Sequence, residues 1–297
     1  MQSREARINS AAGRTVPMDE VTPDVTVRGP GEPELAVVGG IHGDEPSGVR
    51  AVERLRDADL PLERGVKFVV ANPPAVEAGR RSLEADLDRT VPGDADGTLE
   101  ERLAAELCAE IAGLPTLSLQ ATHSTPEPFA LVERSRPGAY ELAGELPVEH
   151  VVDHHRVADG SLTACGEVVT VEAGCQGTDA AAAEAERQAR AFLSATGALS
   201  SAPDARTQPV AYYLLQDTVE KPPGVEYDLR VENFSRVAAG EVFATAGGEP
   251  LIAHRPFYPV LMSECGYEDI FGYRASRIGN SPEGALATLG VGMRSGG

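Results

Sequence analysis

The sequence has little of several residues and patterns that would point to other classes of protein. It contains no tryptophan, aromatic residues make up 5% of it, and lysine occurs only at Lys67 and Lys221. No run of 18 apolar residues is present, so the pattern predicts no transmembrane helix. The charged amino-terminal segment lacks the apolar core of a secretory signal. These absences predict a cytoplasmic protein that is not inserted in a membrane.

Positively charged residues are also scarce. Lysine and arginine together number 26, whereas aspartate and glutamate number 46, which gives a net charge of −20 at pH 7. Such a surface repels nucleic acids and anionic lipids, so neither is predicted as a partner. The acids are spread along the whole chain. This pattern is typical of proteins from salt-loving organisms, where salt screens the self-repulsion, and we expect a halophilic protein.

The four cysteines are widely separated and show no C-x-x-C spacing. Their positions, Cys108, Cys165, Cys175 and Cys265, predict reduced and mostly buried thiols. The spacing argues against a disulfide framework or a zinc knuckle.

Apolar runs alternate with helical patterns through the first 200 residues. Thr98 and Glu101 form a capping box that begins an amphipathic helix, and Thr178 caps an alanine-rich one. Short β-prone runs begin near residues 24, 34, 66, 117 and 168. The alternation predicts an α/β domain over residues 1–200 with a largely parallel or mixed sheet.

After a linker-like stretch at residues 200–208, the character of the chain changes. Short β-prone runs are separated by glycine and proline, and no helical period of 3.6 residues is visible. We predict a small all-β domain over residues 206–285 and a flexible tail over residues 286–297.

The segment from Leu35 to Glu45 is the most informative stretch. An apolar run predicts a buried strand, two glycines end it, and His42 and Glu45 follow three residues apart. Open α/β sheets bind their ligands at the carboxyl ends of strands. Histidine and glutamate are also protein ligands that catalytic zinc accepts. A His-x-x-Glu pair can arise by chance, so its context decides its meaning.

Two further polar residues follow apolar strands in the same way. His123 comes after the run that begins near residue 117, and Glu172 comes after the run that begins near residue 168. His42, Glu45 and His123 would supply the ligand set of one catalytic zinc, with Glu172 beside it as general base. Each residue taken alone also fits a loop, capping or ion-pairing role.

Arginines gather in the loop that follows Asn72. Arg80, Arg81 and Arg89 present planar guanidinium groups, which suit carboxylates and can polarise a carbonyl oxygen. Either member of the tandem pair can instead simply balance neighbouring acids.

Taken together, these segments resemble the succinylglutamate desuccinylase/aspartoacylase family of zinc amidohydrolases, which are relatives of the zinc carboxypeptidases. The resemblance covers about residues 34–195 and, more weakly, the β-rich end with Gly266-Tyr267 and Gly272-Tyr273. The matching segments are Gly40-Ile41-His42-Gly43-Asp44-Glu45, Asn72-Pro73-Pro74-Ala75 continuing through Arg81, Asp86-Leu87-Asp88-Arg89-Thr90-Val91-Pro92-Gly93, His123-Ser124-Thr125 and Thr170-Val171-Glu172-Ala173-Gly174.

The resemblance implies a carboxypeptidase-like mixed sheet flanked by helices, with a small carboxyl-terminal all-β domain. It implies one zinc per chain, held by His42, Glu45 and His123. Arg81 would polarise the scissile carbonyl and Glu172 would activate water, which makes both catalytic. The substrate would be a small N-acylated amino acid, and the substrate-binding residues would be Arg89, Asp88 and Asn72.

Three departures from the family pattern bear on the site: those at Asp88 and near Leu162 concern the substrate, and the one at Ala121 concerns the group that orients the third zinc ligand. Asp88 replaces the usual asparagine before the substrate-binding arginine, and Ala121 replaces an aspartate two residues before the third ligand. The neighbourhood of Leu162 lacks the arginine that aspartoacylase uses for the aspartate side chain, so N-acetylaspartate is disfavoured as a substrate.

Other interpretations stay open at this level. A zinc carboxypeptidase, or a metal-binding scaffold without turnover, would fit much of the same pattern. A second cluster of His150, Asp153, His154 and His155 is interpreted as a surface or interface segment in preference to a second metal site. No feature of the sequence specifies an oligomeric state.

Overall fold

The computed structural model describes residues 7–9, 15–17, 21–157, 161–200, 209–266 and 269–291. Its strands are β1 (Arg7–Asn9), β2 (Thr15–Pro17), β3 (Asp24–Arg28), β4 (Pro33–Gly39), β5 (Gly65–Val70), β6 (Thr116–Thr122), β7 (Phe129–Val132), β8 (His150–Asp153), β9 (Val168–Cys175), β10 (Ala211–Glu220), β11 (Tyr227–Leu229), β12 (Val242–Ala246), β13 (Glu249–Ile252), β14 (Tyr258–Val260) and β15 (Ile270–Gly279). Its helices are α1 (Pro46–Asp57), α2 (Pro73–Ala78), α3 (Leu87–Thr90), α4 (Leu99–Ile111), α5 (Pro137–Glu145), α6 (Asp179–Ala195) and α7 (Pro282–Thr288), and a 3-10 turn spans Leu162–Cys165.

Ten strands form one mixed sheet in the order β14-β15-β10-β8-β7-β9-β6-β4-β5-β3. Strands β4, β6 and β9 are direct neighbours and run parallel to one another. Antiparallel pairing occurs at β3 with β5, at β7 with β9 and at β15 with β10. The carboxyl ends of β4, β6 and β9 therefore lie side by side at one edge, and the predicted fold class is confirmed.

The alternation of side chains in β4 shows how the sheet buries both faces. Leu35 and Val37 pack with α1 and α6 on one face, whereas Ala36 and Val38 pack with α4 on the other. All four side chains are at most 1% exposed. A strand that is covered on both faces has a continuous apolar run, which is the pattern that the sequence shows.

The region between β6 and β9 is the part of the α/β layer that the sequence pattern left undefined. It contains β7, α5 and β8, and β7 pairs with both β8 and β9. Each of these two strands has four residues, which is too short to show a clear period. At the amino-terminal end, β1 and β2 pair antiparallel.

The carboxyl-terminal strands are divided between two sheets. β11, β12 and β13 form a separate three-stranded sheet, as expected for a small β region. Strands β10, β14 and β15 instead extend the large sheet, because β10 pairs in parallel with β8. The boundary near residue 206 stays a prediction, since residues 201–208 lie outside the described residues. The predicted tail overlaps α7, where Leu286 is buried, and residues 292–297 again lie outside that description.

The prediction that all cysteines are reduced is wrong for one pair. Cys108 on α4 and Cys165 on the 3-10 turn form a disulfide, with their Cα atoms 5.3 Å apart. They are 57 residues apart in sequence, and only the packing of the turn against α4 brings them together. Cys175 and Cys265 are free thiols, and Cys265 is exposed.

The histidines near residue 150 lie in three different environments. His150 stacks on Phe234 with ring centroids 4.0 Å apart, and His155 Nδ1 lies 3.0 Å from Glu133 Oε1. His154 is 6% exposed, and its Nε2 lies 3.1 Å from Thr163 Oγ1. The interpretation as a surface segment is therefore wrong for His154, because this residue is buried directly after the end of β8. Every helix in the described ranges is too short or too polar to span a bilayer.

Candidate active site

The turn between β4 and α1 places His42 and Glu45 at the edge of the sheet. Gly40 has a positive φ of 69°, a conformation that side chains other than glycine rarely adopt. Gly43 packs against Ala75, where an added Cβ would come within 2.1 Å of backbone atoms. Pro46 then begins α1 directly after Glu45. The glycines thus allow a sharp turn that buries both polar side chains.

His42 lies between two carboxylates. Its Nδ1 is 2.8 Å from Glu45 Oε1 and its Nε2 is 3.2 Å from Asp86 Oδ1. Burial opposes a charge on this ring, but Glu45 and Asp86 together raise the pKa of His42 to about 10. Burial opposes charge on the two acids as well, yet their contacts with His42 hold the pKa values of Glu45 and Asp86 below their usual range. Buried acids of this kind require a cation close by.

Arg81 joins the same group from the loop that follows α2. Its Nε donates to Asp86 Oδ2 at 2.9 Å and its Nη1 donates to Glu45 Oε1 at 3.3 Å. The buried carboxylate of Glu100, on α4, supports this loop by accepting three backbone N–H groups, from Leu83, Glu84 and Ala85. Arg80, in contrast, is exposed. Of the tandem arginines, Arg81 is therefore the one that contacts the candidate site.

Glu172 lies near the end of β9 and is 6% exposed. In the described part of the chain, its Oε2 has no hydrogen-bond partner. Burial, followed by the negative charge of Glu45, raises the pKa of Glu172 to about 8. A buried and unpaired carboxylate is costly to a fold and is often kept for a chemical role.

His123 follows β6 and belongs to the same cavity, but its side chain is exposed. The preceding Ala121 donates its backbone N–H to Glu45 Oε2 at 3.1 Å, so the end of β6 also holds the Glu45 carboxylate. The structure thus brings His42 and Glu45 into contact and places His123 on the wall around them.

These residues surround one cavity of about 440 Å³. Its lining combines the ends of β4, β6 and β9, the arginine loop and a carboxyl-terminal segment. The lining residues are His42, Asp44, Glu45, Arg81, Asp86, Arg89, Gln120, Ala121, Thr122, His123, Glu172, Gln176, Leu261, Ser263, Gly266 and Asp269. Arg89 lies at its side, with guanidinium nitrogens 3.9 Å from carboxylate oxygens of Asp86 and Asp269.

Two of the predicted substrate-binding residues lie outside this lining. Asn72 is fully buried and caps α2, with its Oδ1 accepting from Ala75 N at 3.2 Å. Asp88 accepts the backbone N–H of Leu162 at 3.0 Å and so holds the 3-10 turn, and burial raises the pKa of its carboxyl. In this structure both residues stabilise the surroundings of the site.

Several residues of the site were not predicted from the sequence. Asp86 lies inside a family motif, but no signal showed that it would contact His42. Glu100 directly precedes the capping-box residue Glu101, and an acid in the first turn of a helix usually needs no further explanation. Ser263 and Asp269 come from the β-rich end, where the resemblance is weak and names neither residue, so their contribution is visible only in the folded chain.

The site residues fit zinc in their chemistry. Two histidines, one ligating carboxylate and a separate unpaired carboxylate are the groups that a catalytic zinc site uses. No three His, Cys, Asp or Glu side chains in the described ranges already form a metal-binding cluster. Both ring nitrogens of His42 face carboxylates in this structure.

Comparison with known proteins supports the family. Residues 31–124 match the model of the succinylglutamate desuccinylase/aspartoacylase catalytic domain. N-alpha-acetyl-L-2,4-diaminobutyric acid deacetylase of Halomonas elongata is 40% identical over 87 residues, which is 27% of this chain and 25% of that protein. The chain therefore spans about a quarter of the length of the relative that it matches.

Solved structures extend the likeness in fold to most of the chain. A succinylglutamate desuccinylase/aspartoacylase from Rhodobacter sphaeroides has a TM-score of 0.73 at 18% identity, covering 92% of this chain and 94% of that one. The product-bound ectoine utilization protein EutE (DoeB) from Ruegeria pomeroyi has a TM-score of 0.71 at 19% identity, covering 89% and 90%. Murine aminoacylase 3 has a TM-score of 0.67 at 20% identity, covering 84% and 97%.

The family predicted from the sequence is thus confirmed. Residues 31–124 match the catalytic-domain model of the succinylglutamate desuccinylase/aspartoacylase family, and the described chain has the fold of the solved structures.

Proposed function

We propose that the protein is a zinc-dependent amidohydrolase that removes the acyl group from a small N-acylated amino acid. The observation that carries the proposal is the single cavity in which a buried His42–Glu45 pair, His123, Arg81 and an unpaired Glu172 carboxylate meet. His42, Glu45 and His123 would hold the zinc. When bound, zinc supplies positive charge that lowers the pKa of water and polarises the scissile carbonyl.

Glu172 performs the proton transfers in this proposal. Its carboxylate takes a proton from the attacking water as the water oxygen bonds to the carbonyl carbon. It then returns the proton to the amide nitrogen as the C–N bond breaks, which releases a carboxylic acid and an amine. Burial and Glu45 raise the pKa of Glu172 to about 8, and a cation in the cavity would favour the charged form that accepts a proton.

The arginines orient the substrate. Arg81 is held by Glu45 and Asp86 and directs positive charge toward the carbonyl oxygen as negative charge builds there. Arg89 is about half exposed at the cavity and binds the substrate carboxylate. The name of the Halomonas relative puts N-acetylated diamino acids first among the substrates to test.

The test is a hydrolysis screen of the purified protein in high salt. Its panel contains N-acylated diamino, neutral and acidic amino acids, together with short peptides. We expect about one zinc per chain and cleavage of N-acyl amino acids that stops with a chelator and returns with Zn²⁺. Cleavage of peptides alone would identify a carboxypeptidase, and zinc binding without hydrolysis would identify a scaffold.

The variant Glu172→Gln separates zinc binding from chemistry. It should keep its zinc and lose turnover by about a thousandfold, within the range for a general base. Glu53→Gln, on the exposed face of α1, is the charge-matched control.

We further propose a cytoplasmic, salt-adapted enzyme, because the net charge of −20 needs screening. Activity that is the same at low and high salt would contradict this part.

A further inference from the structure

The loop that carries His123 has few contacts with its own sheet. Thr122 Oγ1 donates to Ser124 Oγ at 2.9 Å and accepts from Ser124 N at 3.1 Å, which ties the loop only to itself. At the strand end, Gln176 N donates to Thr122 O at 2.9 Å. Beyond that point the direction of the loop depends on other parts of the chain.

Two side chains of the carboxyl-terminal region hold this loop. Asn233 Nδ2 donates to Ser124 O at 2.9 Å, and Ser263 Oγ donates to His123 O at 3.2 Å. The backbone carbonyl groups of His123 and of the following residue therefore both accept hydrogen bonds from carboxyl-terminal side chains. Both contacts span more than 100 positions in sequence.

The Asn233 amide is used from both ends. Its Nδ2 also donates to Met262 O at 3.0 Å, and its Oδ1 accepts from Met262 N at 2.9 Å. A backbone N–H can only donate, so the atom that faces Met262 N must be the amide oxygen. The nitrogen then faces the two carbonyls. One side chain thus joins the His123 loop to residues 261–263, which we name the strap.

Backbone strain is concentrated at the same two places. Among the described residues, only Phe234 and Leu261 combine a side chain with a positive φ, at 63° and 55°. Phe234 directly follows Asn233, and Leu261 directly precedes Met262. Each such conformation is strained and persists only where the surroundings enforce it.

The surroundings here are strong enough to do so. Phe234 packs edge-on against Phe129 at 5.2 Å, and its N–H donates to Pro259 O at 2.8 Å. Met262 is fully buried, and Gly272 leaves room for it, since an added Cβ there would lie 2.5 Å from Met262 Cα. Ser263 N donates to Phe271 O at 2.9 Å. The strap is a rigid support.

From this geometry we infer that Asn233, together with Ser263, is a positioning residue that sets the place of His123 at the candidate zinc site. The inference rests on the proposed function for the role of His123, whereas the contacts themselves do not depend on it. Groups that orient a metal ligand typically change metal affinity by about 10- to 100-fold when they are removed. The family-matched segment ends at residue 124, so it contains neither positioning residue.

The first test is the isosteric variant Asn233→Asp. It keeps the acceptor for Met262 N but replaces both donor hydrogens with an oxygen that repels Ser124 O and Met262 O. Zinc affinity, measured by competition with a chromophoric chelator, should fall about 10- to 100-fold. The visible spectrum of the Co²⁺-substituted protein should also change, because it reports histidine coordination. Asn280→Asp, at an exposed asparagine, makes the matched control.

Amide hydrogen exchange supplies a readout that needs no metal. Exchange of the amides of residues 122–125 in the metal-free protein should rise in Asn233→Asp, while exchange in α1 stays as in the control. Ser263→Ala removes the contact to His123 O together with the bond that Ser263 Oγ accepts from Cys265 N, and it leaves the Asn233 contacts in place. It should show the same changes to a smaller degree, and it keeps the inference testable if Asn233→Asp folds poorly.

If both variants match the control in exchange and zinc affinity, the inference is overturned. If the unaltered protein binds no zinc, the proposed function fails, and the exchange data still decide whether Asn233 and Ser263 position the loop.

Discussion

The two walls of the cavity differ in what they contribute. The edge formed by β4, β6 and β9 supplies the four side chains proposed to react or to bind zinc, His42, Glu45, His123 and Glu172, and three of them are at least nine-tenths buried. The carboxyl-terminal wall supplies Leu261, Ser263, Gly266 and Asp269. The first wall contains charged side chains that contact one another, such as His42 and Glu45. The carboxyl-terminal wall contains small polar groups and strained backbone, as at Leu261. The comparison teaches that chemistry and placement come from different parts of the chain.

Removing the charge of Glu45 is the most direct test of the wall formed by β4, β6 and β9. In Glu45→Gln we expect zinc content near zero and turnover lower by about a thousandfold or more, the scale seen when a catalytic group is lost. The carboxylate oxygens of Glu45 contact His42, Arg81 and the Ala121 amide, and a neutral amide cannot satisfy all three. Metal analysis and kcat measure the effect, with Glu53→Gln as control. A variant that retains full zinc would show that Glu45 is not a ligand.

The tandem arginines offer a matched pair on the reactive wall. Arg81→Lys should lower kcat/KM about 100-fold, because an ammonium group cannot bridge Glu45 and Asp86 as the guanidinium does. Arg80→Lys should leave the kinetics as they are, since Arg80 is exposed. Separate values of kcat and KM check both variants. Equal effects of the two substitutions on kcat and KM would show that Arg81 has no special role in catalysis.

The disulfide tests how the surroundings of the reactive wall are held. Cys165→Ser should lower the free energy of unfolding by about 2–4 kcal/mol, because the cross-link closes a long loop. The same turn donates Leu162 N to Asp88, two residues after Asp86. Denaturant unfolding measures the change, with Cys265→Ser, an exposed free thiol, as control. Alkylation of Cys108 and Cys165 in the native, unreduced protein would show that the bond does not form.

The smallest expected effect concerns pH and the attachment of the carboxyl-terminal wall. Burial, and after it the charge of Arg277, lowers the pKa of His150 to about 4 from an ordinary value of 6.5. The unfolded chain therefore binds a proton first as the pH falls, so stability is complete above pH 6.5 and declines between pH 6.5 and 4. We expect about 1–2 kcal/mol from this group.

His150→Phe keeps the ring stacked on Phe234 and should remove that share of the acid sensitivity. His254→Phe, at an exposed position, should not. The measurement is the free energy of unfolding of each variant at pH 4.5 and pH 7.5. If the difference between the two pH values is unchanged in His150→Phe, His150 does not contribute to the loss of stability in acid.

How far the sequence alone could predict the molecule depends on how local each signal was. The capping box at Thr98 and the apolar run before His42 predicted α4 and β4, because caps and buried runs are local patterns. The pairing of Cys108 with Cys165 and the short strands β7 and β8 could not be predicted in the same way. Their existence depends on packing across dozens of residues.

The site shows the same division. Residue types at strand ends predicted His42, Glu45, His123 and Glu172 as neighbours, and all four line one cavity. The resemblance also placed Asp88 and Asn72 at the substrate, but both hold backbone groups beside the site. A motif preserves the identity of a residue without stating which way its side chain points.

Three features could be recognised in the sequence: the residue types of the proposed catalytic groups, the glycine turn that places His42 and Glu45 at a strand end, and the acidic composition. These features follow from residue type and near neighbours, which a linear pattern contains. Other features are visible only in the folded chain. These are the adjacency of β4, β6 and β9, the position of His42 between two carboxylates, and the hydrogen bonds from Asn233 and Ser263 to the His123 loop. Contacts between distant segments depend on how the whole core packs, and no local pattern encodes them.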